Sequence, residues 1–244
     1  MKAWLPRIHP IHPGAFLLDA LAASAVAFFF AGIYSQREGV CNLMRSFNLR
    51  DQHVPWYWYV GAVGIYPVIV AIGNLISTSL GQPTPAIRVS GAWYWLVLDV
   101  VLWFLAVLLG GGGLEEPGWR GYALPVLQKR YSPLLSSLLL APLWAFWHWP
   151  MFWLGYYDGG LFGVFFYVLG VLPITILLTA YFNLSRGSIP IAMLLHASVN
   201  STPLFMPAST IATGIWMLLI LTVALWMWRS PRSSLPHSSE IQPS

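Results

Sequence analysis

Charge is scarce in this chain. Asp, Glu, Lys and Arg make up 8% of its 244 residues, against about a quarter in soluble domains. With 57% hydrophobic residues and a mean hydropathy of +0.66, the chain cannot build a water-facing surface, which excludes a soluble globular protein and places it in a bilayer. Cysteine is nearly absent: Cys41 stands alone, so neither an intrachain disulfide nor a Cys-based zinc site can form. No basic run exists. The net charge of +4, from 12 Lys and Arg against 8 Asp and Glu, therefore bears on membrane orientation, and no nucleic-acid partner is expected. Barrel-type alternation of polar and apolar residues, long internal repeats, and polar stretches able to fold separately are all missing, leaving one domain.

What the chain has is apolar runs of spanning length. They lie at Gly14 to Tyr34, Trp56 to Leu80, Ala92 to Leu109, Leu134 to Leu154, Leu161 to Phe182, Ile189 to Met206 and Ile211 to Trp228. Exposed strand edges are untenable in lipid, so these runs predict an all-α, polytopic transmembrane bundle of about seven spanning helices. The transmembrane domain is expected over residues 14–230, after an N-terminal segment 1–13 and before a disordered Ser- and Pro-rich tail, 231–244. The first run is too long for a signal-peptide core and has no clear cleavage site, so it is read as a retained span. Nine Lys and Arg fall on the side of Arg37, Lys129, Arg186 and Arg229, and three, Lys2, Arg7 and Arg88, on the other. That asymmetry predicts a multi-pass protein of the cell membrane with a cytoplasmic C-terminus.

Three groups of residues carry chemistry. In the first, Gly110 to Gly113 precede Glu115, Glu116 and Pro117, and the glycines with the proline predict a kinked or unwound backbone, tolerated at membrane depth only inside protein or beside water. Glu116 and Arg120 are four apart and share a helical face, suited to an ion pair. Glu115 points about 100° away and stays available as an acid or base, unless the segment is only an interfacial loop with two solvated carboxylates. The second is His148, deep in the fourth run, a catalytic candidate or a packing histidine bonded to a carbonyl. The tryptophans around it read as bundle packing or interface anchors. The third is His196 with Asn200, again four apart and on one face, addressing a cavity or bonding between helices. Asp19 and Asp99 read as structural. Together Glu, two His and Asn supply a base, groups that polarise water or bind an oxyanion, and an amide donor, as hydrolysis of a peptide by activated water requires. No His-Glu-x-x-His or Gly-x-Ser-x-Gly motif is present, and Ser198 has no dedicated base.

Glu115-Glu116-x-x-x-Arg120, an aromatic four positions before His148, and His196-x-x-x-Asn200 resemble, in order and placement, the three motifs of the CPBP family of CAAX proteases and bacteriocin-processing, Abi-like proteins. The resemblance runs from Gly110 to Asn200, inside a core expected at about residues 92–206. One departure is Trp144, where the broader pattern has Phe. The resemblance implies an intramembrane endopeptidase acting on a membrane or lipidated peptide or protein, in which Glu115 activates water with His196, His148 and Asn200 stabilise the oxyanion, and Glu116 and Arg120 support the site. It also implies a metalloprotease-like chemistry. A zinc ion held by Glu115, His148 and His196 and a metal-free glutamate mechanism fit the same residues. A non-catalytic immunity or regulatory protein of the same fold is the alternative. A small transporter is disfavoured by the missing inverted repeat.

Overall fold

The computed structural model describes residues 13–47, 54–87, 93–155, 157 and 159–229. The N-terminal segment, the tail and the side chain of Asp19 lie outside the described residues. All regular structure among the described residues is helical, as the apolar runs predict. Seven helices organise it: α1 Pro13–Arg45, α2 Trp56–Ser79, α3 Trp93–Gly110, α4 Pro133–Trp147, α5 Gly160–Leu184, α6 Ile189–Phe205 and α7 Thr210–Arg229. The stretches Trp56–Ser79, Tyr94–Gln128, Gly160–Leu184 and Thr210–Arg229 are long and apolar enough to cross a membrane. The other runs are shorter or interrupted. α4 stops after 15 residues, α6 has 17, and α1 is broken at Gln36 (φ 49°, ψ −140°), just past the end of the first apolar run.

Between α3 and α4 the backbone changes type four times. Gly111 is extended (φ −145°, ψ 179°), a 3₁₀ turn covers Gly112–Glu115, a single α turn Glu116–Gly118, a π-type turn Trp119–Ala123, and a short helix Leu124–Gln128. The expected unwinding is therefore present, and protein encloses it. α1 covers one side with the buried small residues Ala20, Ala23, Ala27 and Ala31. A side chain at Gly118 would sit 2.7 Å from the Ala23 carbonyl, so only glycine lets α1 approach this closely. Ser24 Oγ donates to the Leu114 carbonyl, one of the backbone acceptors released where the helix breaks.

α2, α5, α6 and α7 form the main core, with Leu177, Leu178, Ile191, Leu195 and Trp216 buried among them. α2 meets α7 through small and polar residues. Gly73 abuts the Ala212 backbone, Ser77 Oγ donates to Ser209 Oγ at 2.9 Å, and Asn74 both donates to the Pro207 carbonyl at 2.9 Å and accepts from the Ser209 backbone N–H at 2.8 Å. Ser198 Oγ, the only nucleophilic hydroxyl weighed for chemistry, donates to the Val63 carbonyl at 2.7 Å and so ties α6 to α2.

Replacing Gly73 by Val forces a branched side chain into the Ala212 backbone. The expected cost is about 1–3 kcal/mol, typical of overpacking. It is measured as a lower temperature of loss of the monodisperse peak in size-exclusion chromatography, and an unchanged midpoint would refute the close packing of α2 on α7.

Candidate active site

Five of the six residues singled out in the sequence, all but Asn200, come together where the broken segment crosses α4 and α6. Glu115, Glu116, Arg120, His148 and His196 are all buried, with exposures of 4%, 0%, 0%, 6% and 2%. Five ionisable side chains in one apolar bundle are costly unless they pair, and their contacts satisfy part of the set, with Glu116 Oε2 and Arg120 Nε and Nη2 left without a hydrogen-bond partner among the described residues.

Glu116 is the inner carboxylate. Arg120 Nη1 donates to its Oε1 at 2.9 Å, the ion pair that the four-residue spacing predicts, and His196 Nδ1 lies 2.6 Å from the same oxygen. Because that oxygen belongs to a carboxylate shared with a guanidinium, Nδ1 carries the proton and donates, leaving His196 Nε2 as the outward nitrogen. Nε2 lies against Gly112, where an added Cβ would fall 2.7 Å from it. Gly112 also has φ +27°, a conformation that side chains rarely adopt. Arg120 is held further by its guanidinium carbon lying 4.7 Å from the Trp144 ring centroid, a contact worth about 2 kcal/mol when desolvated.

Glu115 makes different contacts. Its Oε2 accepts two indole N–H groups, Trp144 Nε1 at 2.7 Å and Trp119 Nε1 at 3.2 Å. Its Oε1 lies 3.8 Å from His148 Nε2, too far for a direct hydrogen bond and the right separation for one water molecule to touch both. His148 sits at the end of α4. Its backbone N–H bonds to the Ala145 carbonyl at 3.2 Å, and its side-chain Nδ1–H donates to the Trp144 carbonyl at 3.0 Å, which turns Nε2 toward Glu115. The rings of Tyr157 and Tyr167 flank the imidazole, with centroids 6.4 and 5.2 Å away.

Two features depart from the sequence expectations. The resemblance implies a Glu115–His196 partnership, whereas here His196 pairs with Glu116 and Glu115 faces His148. Asn200, one turn beyond His196, is exposed, and among the described residues no hydrogen bond joins it to the buried cluster. A third finding was not visible in the sequence. Trp144, read there as packing, contacts every member of the cluster or its direct partner: its N–H bonds Glu115, its carbonyl holds His148, its ring lies under Arg120, and it meets the His196 ring edge-on at 5.0 Å and 83°. The hydrogen-bonding capacity of indole was the available signal.

The zinc set Glu115, His148 and His196 does not assemble. Among the described residues no three His, Cys, Asp or Glu side chains converge closely enough to hold a metal ion. No step below is routed through a metal.

The described residues fold a Glu-Glu-x-x-x-Arg segment against two histidines from separate helices of a helical bundle. Residues 96–202, the stretch that contains the whole cluster, match the family described as Type II CAAX prenyl endopeptidase Rce1-like. CAAX prenyl protease 2 of Methanococcus maripaludis is 27% identical over 173 residues, which cover 66% of this chain and 63% of that protein, so the chain spans less than two thirds of that relative's length. Both matches support the resemblance to the CPBP family.

Removing Arg120 alone leaves Glu116 buried beside His196 without its guanidinium. Arg120→Met is expected to cost about 3–5 kcal/mol, and adding Glu116→Gln to it should recover part of that loss. Thermal unfolding of the two variants checks this, and additive losses in the double variant would refute the coupling.

Proposed function

We propose that the protein is an intramembrane endopeptidase that hydrolyses a peptide bond of a membrane or lipidated peptide or protein with water activated by glutamate and histidine. The carrying observation is the 3.8 Å gap between Glu115 Oε1 and His148 Nε2, both buried. A water in that gap gives a proton to Glu115 as its oxygen attacks the substrate carbonyl carbon. His148 orients the same water through Nε2. The tetrahedral intermediate needs a donor for its oxyanion, and His196 is built for that role. Glu116 accepts its Nδ1–H and so fixes the ring with Nε2 beside Gly112, where a proton on Nε2 would be the donor. When the C–N bond breaks, Glu115 returns its proton to the leaving amine. This assignment exchanges the histidine roles implied by the family resemblance. Asn200, exposed at the next turn, serves the substrate rather than the buried cluster. Further support comes from the Rce1-like match over 96–202. The multi-pass arrangement is proposed to place the C-terminus in the cytoplasm, from the Lys and Arg asymmetry.

The test is cleavage of a fluorogenic peptide library by the purified protein and its variants. Glu115→Gln is expected to lower the rate by about 10²–10⁴-fold, the usual contribution of a positioned acid–base group. His148→Ala and His196→Ala should fall comparably, and Asn200→Ala less. Equal cleavage by all five proteins would sink the catalytic reading in favour of a non-catalytic immunity or regulatory role.

Exhaustive chelation is expected to leave the rate of the native protein unchanged, because no three donors converge among the described residues. Loss of activity restored by added zinc would overturn the metal-free mechanism.

A further inference from the structure

Among the described residues no guanidinium or ammonium group hydrogen-bonds Glu115, unlike Glu116, which is paired with Arg120. Its two short contacts both come from neutral indoles and both fall on the same oxygen, Oε2. The donors arrive from different elements, Trp119 from the π-type turn and Trp144 from α4. Two N–H groups on one carboxylate oxygen leave the other oxygen as the only one facing His148. The ring rotation of Trp119 is fixed in turn by an edge-to-face contact with Trp147, at 5.8 Å and 85°. Trp144 acts twice, since the carbonyl of the same residue sets the imidazole of His148.

We infer that Trp144 and Trp119 are positioning residues for the hydrolytic reaction. Their indole N–H groups clamp Glu115 by Oε2 and select Oε1 as the oxygen that takes the proton from water. This inference rests on the endopeptidase reading and names a determinant that reading does not need. Its physical content is that two neutral donors hold one oxygen of the buried carboxylate and leave the other open to accept a proton. A guanidinium in the same place would hold the carboxylate but compete with that proton. The clamp fixes direction as well. With Oε2 tied at two points the carboxylate cannot rotate to exchange its oxygens, and a misplacement of about 1 Å at a reacting group costs on the order of 10²-fold in rate.

The experiment isolates the N–H from the ring. Trp144 is replaced by benzothienylalanine, which keeps the bicyclic shape and has sulfur in place of N–H, and Trp144→Phe and Trp119→Phe are made alongside. Turnover is measured on whichever library peptide the native protein cleaves fastest, with thermal unfolding of each variant to confirm folding. The expected result for benzothienylalanine at 144 is kcat lower by about 10–100-fold with KM within about twofold of native. Trp119→Phe, which removes the longer bond, should lose less. A purely packing role for Trp144 predicts native kcat with benzothienylalanine and a loss with Phe, and that pattern would overturn the inference while leaving the endopeptidase reading intact. A second readout needs no turnover: in protein labelled with ¹⁵N at the indoles, Glu115→Gln should shift two N–H resonances, those that vanish in Trp144→Phe and Trp119→Phe. Resonances that do not move would overturn the clamp. If the native protein cleaves nothing in the library, the endopeptidase reading falls and the catalytic meaning of the clamp falls with it, whatever the resonances do.

Discussion

A carboxylate cannot be left unpaired inside a membrane bundle, and the need to satisfy Glu116 organises everything around it. Its Oε1 is shared by Arg120 from the same segment and His196 from α6. The shared oxygen links a local, four-residue contact to one made across 80 residues of sequence. For both to form, the broken segment has to pass close to α6, and Gly112 permits that passage by having no side chain where His196 lies. The same segment must also be covered on its other side. α1 does this with a stripe of alanines and with Ser24, which takes up a released carbonyl. Sequence features with no catalytic signature of their own thus become necessary to the site.

The adjacent glutamates divide their work by the kind of partner each has. Glu116 is held through one oxygen by a guanidinium and an imidazole and is fully enclosed. Glu115 is held by neutral donors and keeps one oxygen toward a histidine 3.8 Å away. Two residues of one type, adjacent in sequence, are therefore given different partners by their surroundings. A phenylalanine at 144, which the broader pattern of the family the chain resembles has, would put a smaller ring beneath Arg120 and offer Glu115 no N–H.

How much of this was legible depended on the range of the contact. The apolar runs located the helices, and the Glu116–Arg120 pair followed from spacing alone, even though the intervening backbone passes from an α into a π-type turn. The glycine run and Pro117 announced the break. Contacts set by the crossing of helices were not legible. Nothing in the sequence says that His196 reaches Glu116 rather than Glu115. The i, i+4 rule that placed His196 and Asn200 on one face was correct as geometry and misleading as burial. One turn of helix is about 5 Å of rise, enough to carry the chain from a side chain 2% exposed to one open to the surroundings. Tryptophan was underread for a related reason. Its apolar bulk dominates any pattern of helix packing, and the single N–H that matters finds its partner only in three dimensions.

The reactive groups gather where the helical ladder of hydrogen bonds is interrupted. Glu115 ends the 3₁₀ turn, Trp119 opens the π-type turn, and His148 stands at the junction between α4 and the short helix Trp149–Trp153. At that junction the His148 backbone N–H turns to Ala145, and the Trp144 carbonyl takes the imidazole proton instead. In a regular helix that carbonyl accepts from the backbone four residues on. An interruption in a bilayer carries an energetic penalty because each freed backbone group needs a new partner. Here the new partner is the side chain whose orientation the site requires. The irregular backbone is thus the source of the hydrogen bond that aims His148, and a straightened α4 would remove it.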